Sequence, residues 1–284
     1  NAIKSCGAKP IFCDVDKRTL NTDSGYIEEK ITSKTKAVMI LHYGGTPCNM
    51  DGIVSLCKLH NLKLIEDNAN SPLSTYKEKH TGTIGDIGVW SFDAMKQIVM
   101  GDGGLIYCKQ QSHIKDIQQE SYLGLMSSSG FSNTIDNKWW EFDVDRPARR
   151  TIINDIQAAI GLEQLKKIDN FIKIRKDIHE TYSKELSDLE WLDVPVEIPE
   201  DRTSSYYMYH IQTKHRDDLA TYLKDNDIYT TFRYYPLHWV EFYNEDETLK
   251  NSEYVANNTL CIPLHQSLTD NDVNHIIEKI RKYR

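Results

Sequence analysis

Residues 85–108 read GDIGVWSFDAMKQIVMGDGGLIYC and contain one lysine between two apolar runs. The first run, residues 87–92, is short and rich in aromatic and apolar residues, which predicts a buried strand. The glycine-rich turn at residues 101–104 leads into a second predicted strand, residues 105–108. Lys96 lies in the connection between these strands, where a lysine is in most proteins a solvated loop residue. The rest of the chain must therefore indicate whether Lys96 has another role.

Upstream of this stretch, short apolar runs alternate with segments of helical periodicity. The predicted strands are residues 10–15, 36–41 and 62–65, and the predicted helices are residues 26–31, capped by Ser24, and residues 53–59, capped by Asn49 or Asp51. This alternation is typical of βαβ crossovers and predicts an α/β fold with a mainly parallel sheet flanked by helices. Ligands bind at the carboxyl ends of the strands in such sheets. Asp67 stands at one of these ends.

The downstream half changes character after Pro195 and Pro199. A long helical region is predicted over residues 154–186. It is followed by predicted strands at residues 209–213 and 228–234 and predicted helices at residues 216–226 and 271–283. We expect a large α/β domain over residues 1–188 and a smaller α+β domain over residues 189–284. Asn1 lies in what reads as the middle of a helix, so we expect the large domain to lack an N-terminal segment.

The composition argues against several classes of partner. The net charge of −8 repels phosphate backbones, so we expect no nucleic-acid partner. No apolar run approaches the roughly 20 residues that span a bilayer, so we expect no membrane partner. The six cysteines lack the spacing of a zinc site and are typical of buried thiols. We therefore expect no metal site and a cytoplasmic location.

Three side chains together suggest one cofactor chemistry. Asp67 ends one predicted strand, Lys96 follows another, and Ser91 precedes Lys96 by a short step. Pyridoxal 5′-phosphate (PLP) needs an amine for its aldehyde, a carboxylate for its ring nitrogen, and hydroxyl and N–H donors for its phosphate. Spacing alone is a weak signal, because a strand-end aspartate is more often a cap or a turn residue.

A series of stretches in chain order adds a more specific signal. They are AKPIFCDVD (8–16), ITSKTKAVMILHYGGTPCNMDGI (31–53), HNLKLIEDNANS (60–71), GTIGDIGVWSFDAMK (82–96), GDGG (101–104), DIQAAIGLEQL (155–165), YYPLH (234–238) and IPLHQSLTDNDV (262–273). With these stretches the chain resembles the DegT/DnrJ-type sugar aminotransferases, which are PLP enzymes of fold type I. The resemblance spans nearly the whole chain.

The resemblance implies roles for four residues. Lys96 would form the internal aldimine with PLP, and Asp67 would pair with the pyridinium nitrogen. Asn70, where the family more often has Gln or His, would lie near the phenolic oxygen of the cofactor. Ser91 would bind the phosphate. Related sugar 3-dehydratases have a histidine in place of the lysine, so Lys96 favours transamination.

The resemblance also implies the substrates and the assembly. The expected reaction transfers an amino group from L-glutamate or glutamine to a nucleotide-linked keto sugar, for amino-sugar and polysaccharide biosynthesis, in a homodimer. The family's Gly-Tyr-Asn stretch, whose Asn reaches the phosphate in the partner subunit, is replaced here by RPARRTIIN at residues 146–154. Arg150 or Asn154 is the candidate for this role, and a surface arginine cluster is the alternative. The family's phosphate-cradling loop would precede Asn1.

Two alternative functions stay open at this point. One is a PLP-dependent sugar dehydratase or another PLP enzyme on the same fold. The other is a non-catalytic relative that keeps the fold as a binding or regulatory module. Trp139 and Trp140 either stack on a sugar or serve as buried anchors. His238 either lies near the substrate or packs at the domain junction.

Overall fold

A computed structural model describes residues 1–125, 142–232, 234–243 and 247–284. The helices are α1 (Ala2–Ser5), α2 (Ser24–Glu28), α3 (Met50–Leu59), α4 (Ile114–Ser121), α5 (Asp155–Leu165), α6 (Ile168–Leu186), α7 (Arg216–Lys224), α8 (Lys250–Asn258) and α9 (Asp270–Lys282). The strands are β1 (Ala37–Leu41), β2 (Lys63–Asp67), β3 (Thr75–Tyr76), β4 (Lys79–His80), β5 (Ile87–Ser91), β6 (Gly104–Cys108), β7 (Arg202–Thr203), β8 (Tyr209–Gln212) and β9 (Thr259–Ile262).

The main sheet has the strand order β1-β2-β5-β6. The first three strands run parallel, and β6 returns antiparallel to β5. In the register of the sheet, Asp67 lies opposite Leu41 on one side and Val89 on the other. The mainly parallel α/β sheet confirms the predicted fold class. It brings the carboxyl ends of β1, β2 and β5 to one edge.

The first hydrophobic core lies between this sheet and α3. Ile53, Leu56 and Cys57 recur at helical spacing and are buried against Ile40 and Leu64 of the strands. Burying a side chain of this size contributes roughly 1.5–3 kcal/mol. The crossover β1-α3-β2 is thus held in place by the helix face that the sequence periodicity marks.

A second core joins the C-terminal elements. Helices α6, α7 and α9 cover the antiparallel pair β8-β9, and buried residues come from each of them. Three of these residues, Ile178, Tyr182 and Leu186, belong to α6. The expected division at residue 188 assigns α6 to the large domain, whereas its buried face packs with the C-terminal elements. The division itself stays a prediction.

Three local predictions are wrong. Residues 10–15 form no strand, because the Asp14 carboxylate accepts hydrogen bonds from Asn251 and Ser252 at the start of α8 and holds this segment away from the sheet. Of the described residues in 228–234, Thr231 makes only an isolated bridge to Cys261. Helix α2 is capped by the Asp23 carboxylate rather than by Ser24.

Within the described ranges no helix combines the length and the apolar character that a bilayer crossing requires.

Candidate active site

The predicted cofactor residues lie along the carboxyl edge of the main sheet. Asp67 ends β2 and Ser91 ends the neighbouring strand β5. The Asp67 Oδ1 atom accepts a hydrogen bond from the Ala69 amide at 2.9 Å, and Ser91 Oγ accepts one from the Asp93 amide at 3.4 Å. Both side chains are only half-buried. A carboxylate and a hydroxyl are therefore presented on adjacent strand ends, where α/β sheets bind ligands.

The Lys96 side chain turns back towards this edge. A turn in which the Asp93 backbone and side chain accept the amides of Lys96 and Met95 carries the lysine. Lys96 Nζ donates to Asn70 Oδ1 at 3.4 Å and lies 5.1 Å from the centre of the Tyr207 ring. The half-buried amine is thus held between a buried amide and an aromatic face. The structure brings Lys96 and Asn70 together, as the predicted site requires.

Residues 204–207 of the C-terminal half clamp the Lys96 turn. Gln97 is buried and donates through Nε2 to the Ser205 carbonyl at 2.5 Å, while Ser205 Oγ donates to the Asn70 carbonyl at 2.7 Å. The Tyr207 hydroxyl donates to the Met95 carbonyl at 3.3 Å. This close approach depends on Gly45, since a Cβ there would lie 2.4 Å from Ser205 Oγ and φ is +94°.

The Tyr234 hydroxyl reaches the same Asn70 amide. Its hydroxyl lies 3.3 Å from both Asn70 Oδ1 and Asn70 Nδ2. Its ring packs edge-to-face against Tyr43, with 5.8 Å between the ring centres. The backbone of Tyr234 has φ = +73°, an uncommon conformation for a bulky residue. Asn70, which is fully buried, thus has side-chain partners from both halves of the chain.

A buried hydrogen bond between His42 and Glu66 lies at the carboxyl ends of β1 and β2. His42 follows β1, and its Nδ1 accepts the Cys48 amide at 3.1 Å, so its proton lies on Nε2, which donates to Glu66 Oε2 at 3.1 Å. Glu66 also accepts backbone amides at 2.6–2.9 Å from the loop before β5. Burial would raise the pKa of Glu66, but these hydrogen bonds outweigh it and the pKa is lowered.

Sequence comparison identifies the family of this chain. The model of the DegT/DnrJ/EryC1/StrS aminotransferase family matches residues 1–281. The chain belongs to this family. The predicted resemblance and the prediction of an aminotransferase are therefore confirmed.

Individual relatives are similar over nearly the whole chain. The chain shares 40% sequence identity with dTDP-4-dehydro-2,3,6-trideoxy-D-glucose 4-aminotransferase of Saccharopolyspora spinosa. The alignment covers 99% of this chain and 74% of that protein. The chain also shares 34% sequence identity with GDP-perosamine synthase of Escherichia coli O157:H7, in an alignment that covers 100% of this chain and 75% of that protein. Among solved structures, the aminotransferase TlmJ from Streptoalloteichus hindustanus matches with a TM-score of 0.93 and 41% identity, covering 99% of this chain and 75% of that one.

Arg150 and Asn154 make local contacts in the single chain of the aminotransferase. Asn154 caps α5 in a capping box, where Oδ1 accepts the Gln157 amide at 3.0 Å and Gln157 Oε1 accepts the Asn154 amide at 3.1 Å. The Arg150 guanidinium is exposed and lies 5.9 Å from the centre of the Tyr122 ring. No described contact joins either residue to Lys96 or Asn70, so their roles towards the cofactor stay predictions.

His238, Trp139 and Trp140 are the remaining candidates from the sequence. His238 is buried, its Nε2 lies 3.2 Å from Glu253 Oε1, and its ring packs on Trp239. These contacts correspond to packing rather than to the Lys96 cluster. Trp139 and Trp140 lie outside the described residues.

Sequence reasoning missed several residues that surround the predicted cluster. Tyr207 and Tyr234 contact Lys96 and Asn70, and Glu66 anchors the loop before β5. A signal was present for Tyr234, since it opens the YYPLH stretch that carries part of the resemblance. Glu66 directly precedes Asp67, but no pattern in the sequence distinguished Glu66 as a residue of the site. Tyr207 is one of many tyrosines, and only the folded chain places it over the lysine.

Proposed function

We propose that this aminotransferase binds PLP and transfers an amino group from L-glutamate or glutamine to a nucleotide-linked keto sugar, in amino-sugar biosynthesis. The observation that carries the proposal is the contact of Lys96 Nζ with buried Asn70 at the sheet edge that also presents Asp67 and Ser91. Two of the relatives described above, a dTDP-sugar 4-aminotransferase and a GDP-perosamine synthase, support this substrate class.

The donor set at this edge fits PLP. It contains one amine, one strand-end carboxylate and one strand-end hydroxyl, which match the aldehyde, ring nitrogen and phosphate of the cofactor. Gln97 Oε1, in the residue after Lys96, is buried and has no hydrogen-bond partner among the described residues. Native structures seldom leave such an acceptor unpaired, and a water molecule or a bound polar group next to Lys96 would satisfy it.

In this proposal each residue has one task. PLP, when bound, supplies the electron sink for the substrate carbon. Asp67 keeps the ring nitrogen of the cofactor protonated, and Ser91 donates to its phosphate. Lys96 holds the cofactor through Nζ and, once that amine is released, accepts and returns the proton at the substrate carbon. Asn70 orients the Lys96 amine.

We further propose a cytoplasmic homodimer. Helix α5 leaves Ile156 75% exposed and Leu162 62% exposed, although its Gly161 is buried against Met100. Large apolar side chains left exposed on one helix are typical of an interaction surface, so a second copy of the chain is the expected cover for α5. The same helix is capped at its N-terminus by Asn154, which fits a phosphate contact across the subunit interface. All six cysteines are free thiols, as is usual in a reducing compartment.

The test is the absorbance spectrum of the purified protein with PLP, recorded before and after L-glutamate, and in parallel with glutamine. Wild type should show a visible band that the amino donor bleaches, and Lys96→Ala should show neither the band nor bleaching. Lys109→Ala, which removes an exposed lysine after β6, should behave as wild type. Amine transfer by Lys96→Ala at the wild-type rate would refute the assignment.

The same experiment separates the alternatives. After the donor step, addition of a nucleotide-linked keto sugar should restore the band and yield an amino sugar, detected by mass spectrometry. A product that has lost water without gaining nitrogen would indicate a dehydratase. A wild-type spectrum that the donor leaves unchanged would favour a non-catalytic binding module.

A further inference from the structure

Two hydrogen-bond donors lie within reach of one oxygen of Asn70. Lys96 Nζ lies 3.4 Å from Asn70 Oδ1, and the Tyr234 hydroxyl lies 3.3 Å from the same atom. Among the described residues these two supply all partners of the Asn70 side chain, which is fully buried. We propose that Tyr234 is a positioning residue that acts through Asn70. Its hydroxyl replaces the Lys96 amine at Asn70 Oδ1 whenever that amine leaves.

Donor and acceptor rules define the two arrangements. An ammonium group only donates, so Asn70 must present its oxygen to Lys96. In that arrangement Asn70 Nδ2 donates to the Tyr234 hydroxyl oxygen, 3.3 Å away. When Lys96 withdraws, the hydroxyl proton of Tyr234 rotates towards Oδ1, while the phenol oxygen continues to accept from Nδ2, and the Tyr234 ring does not move. The buried oxygen therefore keeps a donor in both arrangements.

The exchange matters because the proposed function requires Lys96 to leave and return in every cycle, and on that function this inference rests. A buried acceptor without a donor is unfavourable, and this penalty would otherwise fall on the step that frees the amine. Tyr234 removes the penalty. Asn70 Oδ1 therefore keeps a hydrogen-bond donor whether or not the Lys96 amine is beside it.

The backbone of Tyr234 fits such a task. Its φ of +73° places a bulky residue in the left-handed region, a strain that persists only where surrounding contacts impose it. The edge-to-face contact with Tyr43, which follows β1, is one such contact. The Tyr234 ring is thus held by its contact with Tyr43, and its hydroxyl is held next to Asn70.

The first test needs no cofactor. Purified protein without added PLP is treated with formaldehyde and a mild reductant, and the rate of Lys96 methylation is followed by mass spectrometry. Tyr234→Phe keeps the ring and removes the hydroxyl, so Lys96 becomes the sole donor to Asn70 Oδ1. Lys96 methylation should slow by about three- to tenfold, the value of one net hydrogen bond. Methylation of Lys109 in the same sample should not change.

A double variant separates this role from packing. Asn70→Ala removes the shared acceptor, so Lys96 should be methylated faster and Tyr234→Phe should have no further effect in that background. An unchanged Lys96 rate in Tyr234→Phe would overturn the proposal, as would an equal slowing with and without Asn70. These rates are measurable even if wild type gives no band with PLP, which would contradict the proposed function instead.

A second readout uses the loaded protein. In stopped-flow absorbance, Tyr234→Phe should lower the rate constant of the L-glutamate half-reaction about tenfold, because Asn70 Oδ1 then loses its donor when the amine leaves. The L-glutamate concentration for half-maximal rate should stay unchanged. A rise in that concentration with an unchanged rate constant would assign Tyr234 to substrate binding and refute the exchange.

Discussion

Replacement of Glu66 by glutamine should destabilise the aminotransferase strongly. Glu66 Oε1 accepts the amides of Ile84 and Gly85, and Oε2 accepts the Gly82 amide and His42 Nε2. A glutamine presents one oxygen and one NH₂ group, so in either orientation two buried donors face another donor. At about 1–3 kcal/mol for each unpaired buried group, the loss should be about 2–6 kcal/mol. That is a large part of the roughly 5–15 kcal/mol that stabilises a typical protein.

His42 is unable to relieve this conflict by changing tautomer. Its Nδ1 already accepts the Cys48 amide, so a proton moved to Nδ1 would create a second pair of facing donors. The whole effect should therefore appear in the free energy of unfolding, measured at pH 7 by urea titration with circular dichroism. Glu163→Gln is the control, because Glu163 is exposed and pairs with Lys166 on the surface. Its effect should stay below about 1 kcal/mol.

The difference in the free energy of unfolding between wild type and Glu66→Gln should depend on pH. The pKa of Glu66 is lowered by folding, so the unfolded chain binds its proton more readily than the folded chain. The stabilisation is then complete above the unfolded pKa of about 4.3 and is lost as the pH falls through the lower folded value. The gap between wild type and Glu66→Gln should shrink in that acid range. A gap under 1 kcal/mol at pH 7, or one that does not change with pH, would refute the assigned hydrogen bonding.

Two further predictions use changes of shape and of surface. Gly45→Ala should lower the free energy of unfolding by roughly 2–4 kcal/mol, because its Cβ would meet Ser205 Oγ at 2.4 Å, whereas Gly101→Ala, with φ of +85° and open space, should cost only about 1 kcal/mol. Equal effects in urea titrations would contradict the close approach. Ile156→Glu should convert the proposed dimer to a monomer in analytical ultracentrifugation, and Leu59→Glu, at similar exposure on α3, should not. A dimer that survives Ile156→Glu would exclude α5 from the interface.

The candidate site is composite in its construction. Strand ends of the sheet supply Asp67 and Ser91, while the C-terminal half supplies Tyr207 and Tyr234 around Lys96. Side chains on rigid strand ends and side chains from a second packed unit can hold an amine within a narrow volume. Loss of packing between the halves should therefore affect the Lys96 turn before it affects the sheet.

Local sequence patterns predicted the sheet well and the irregular segments poorly. The apolar runs at residues 36–41 and 62–65 became β1 and β2, because each buries its alternate side chains against α3. The run at residues 10–15 has similar composition but no strand partner, since Asp14 is committed to α8. The predicted helix over residues 154–186 is divided into α5 and α6. Strand formation needs a neighbour, which periodicity does not reveal.

The sequence by itself determined the α/β order and the family, because strand and helix periods and the stretches around Lys96 are local properties of the chain. Only the tertiary structure decided which groups meet. Tyr234 contacts Asn70 across 164 residues, and Ser205 contacts it across 135. Such contacts depend on how two separate cores pack against each other, and packing is a property of the whole chain rather than of any segment.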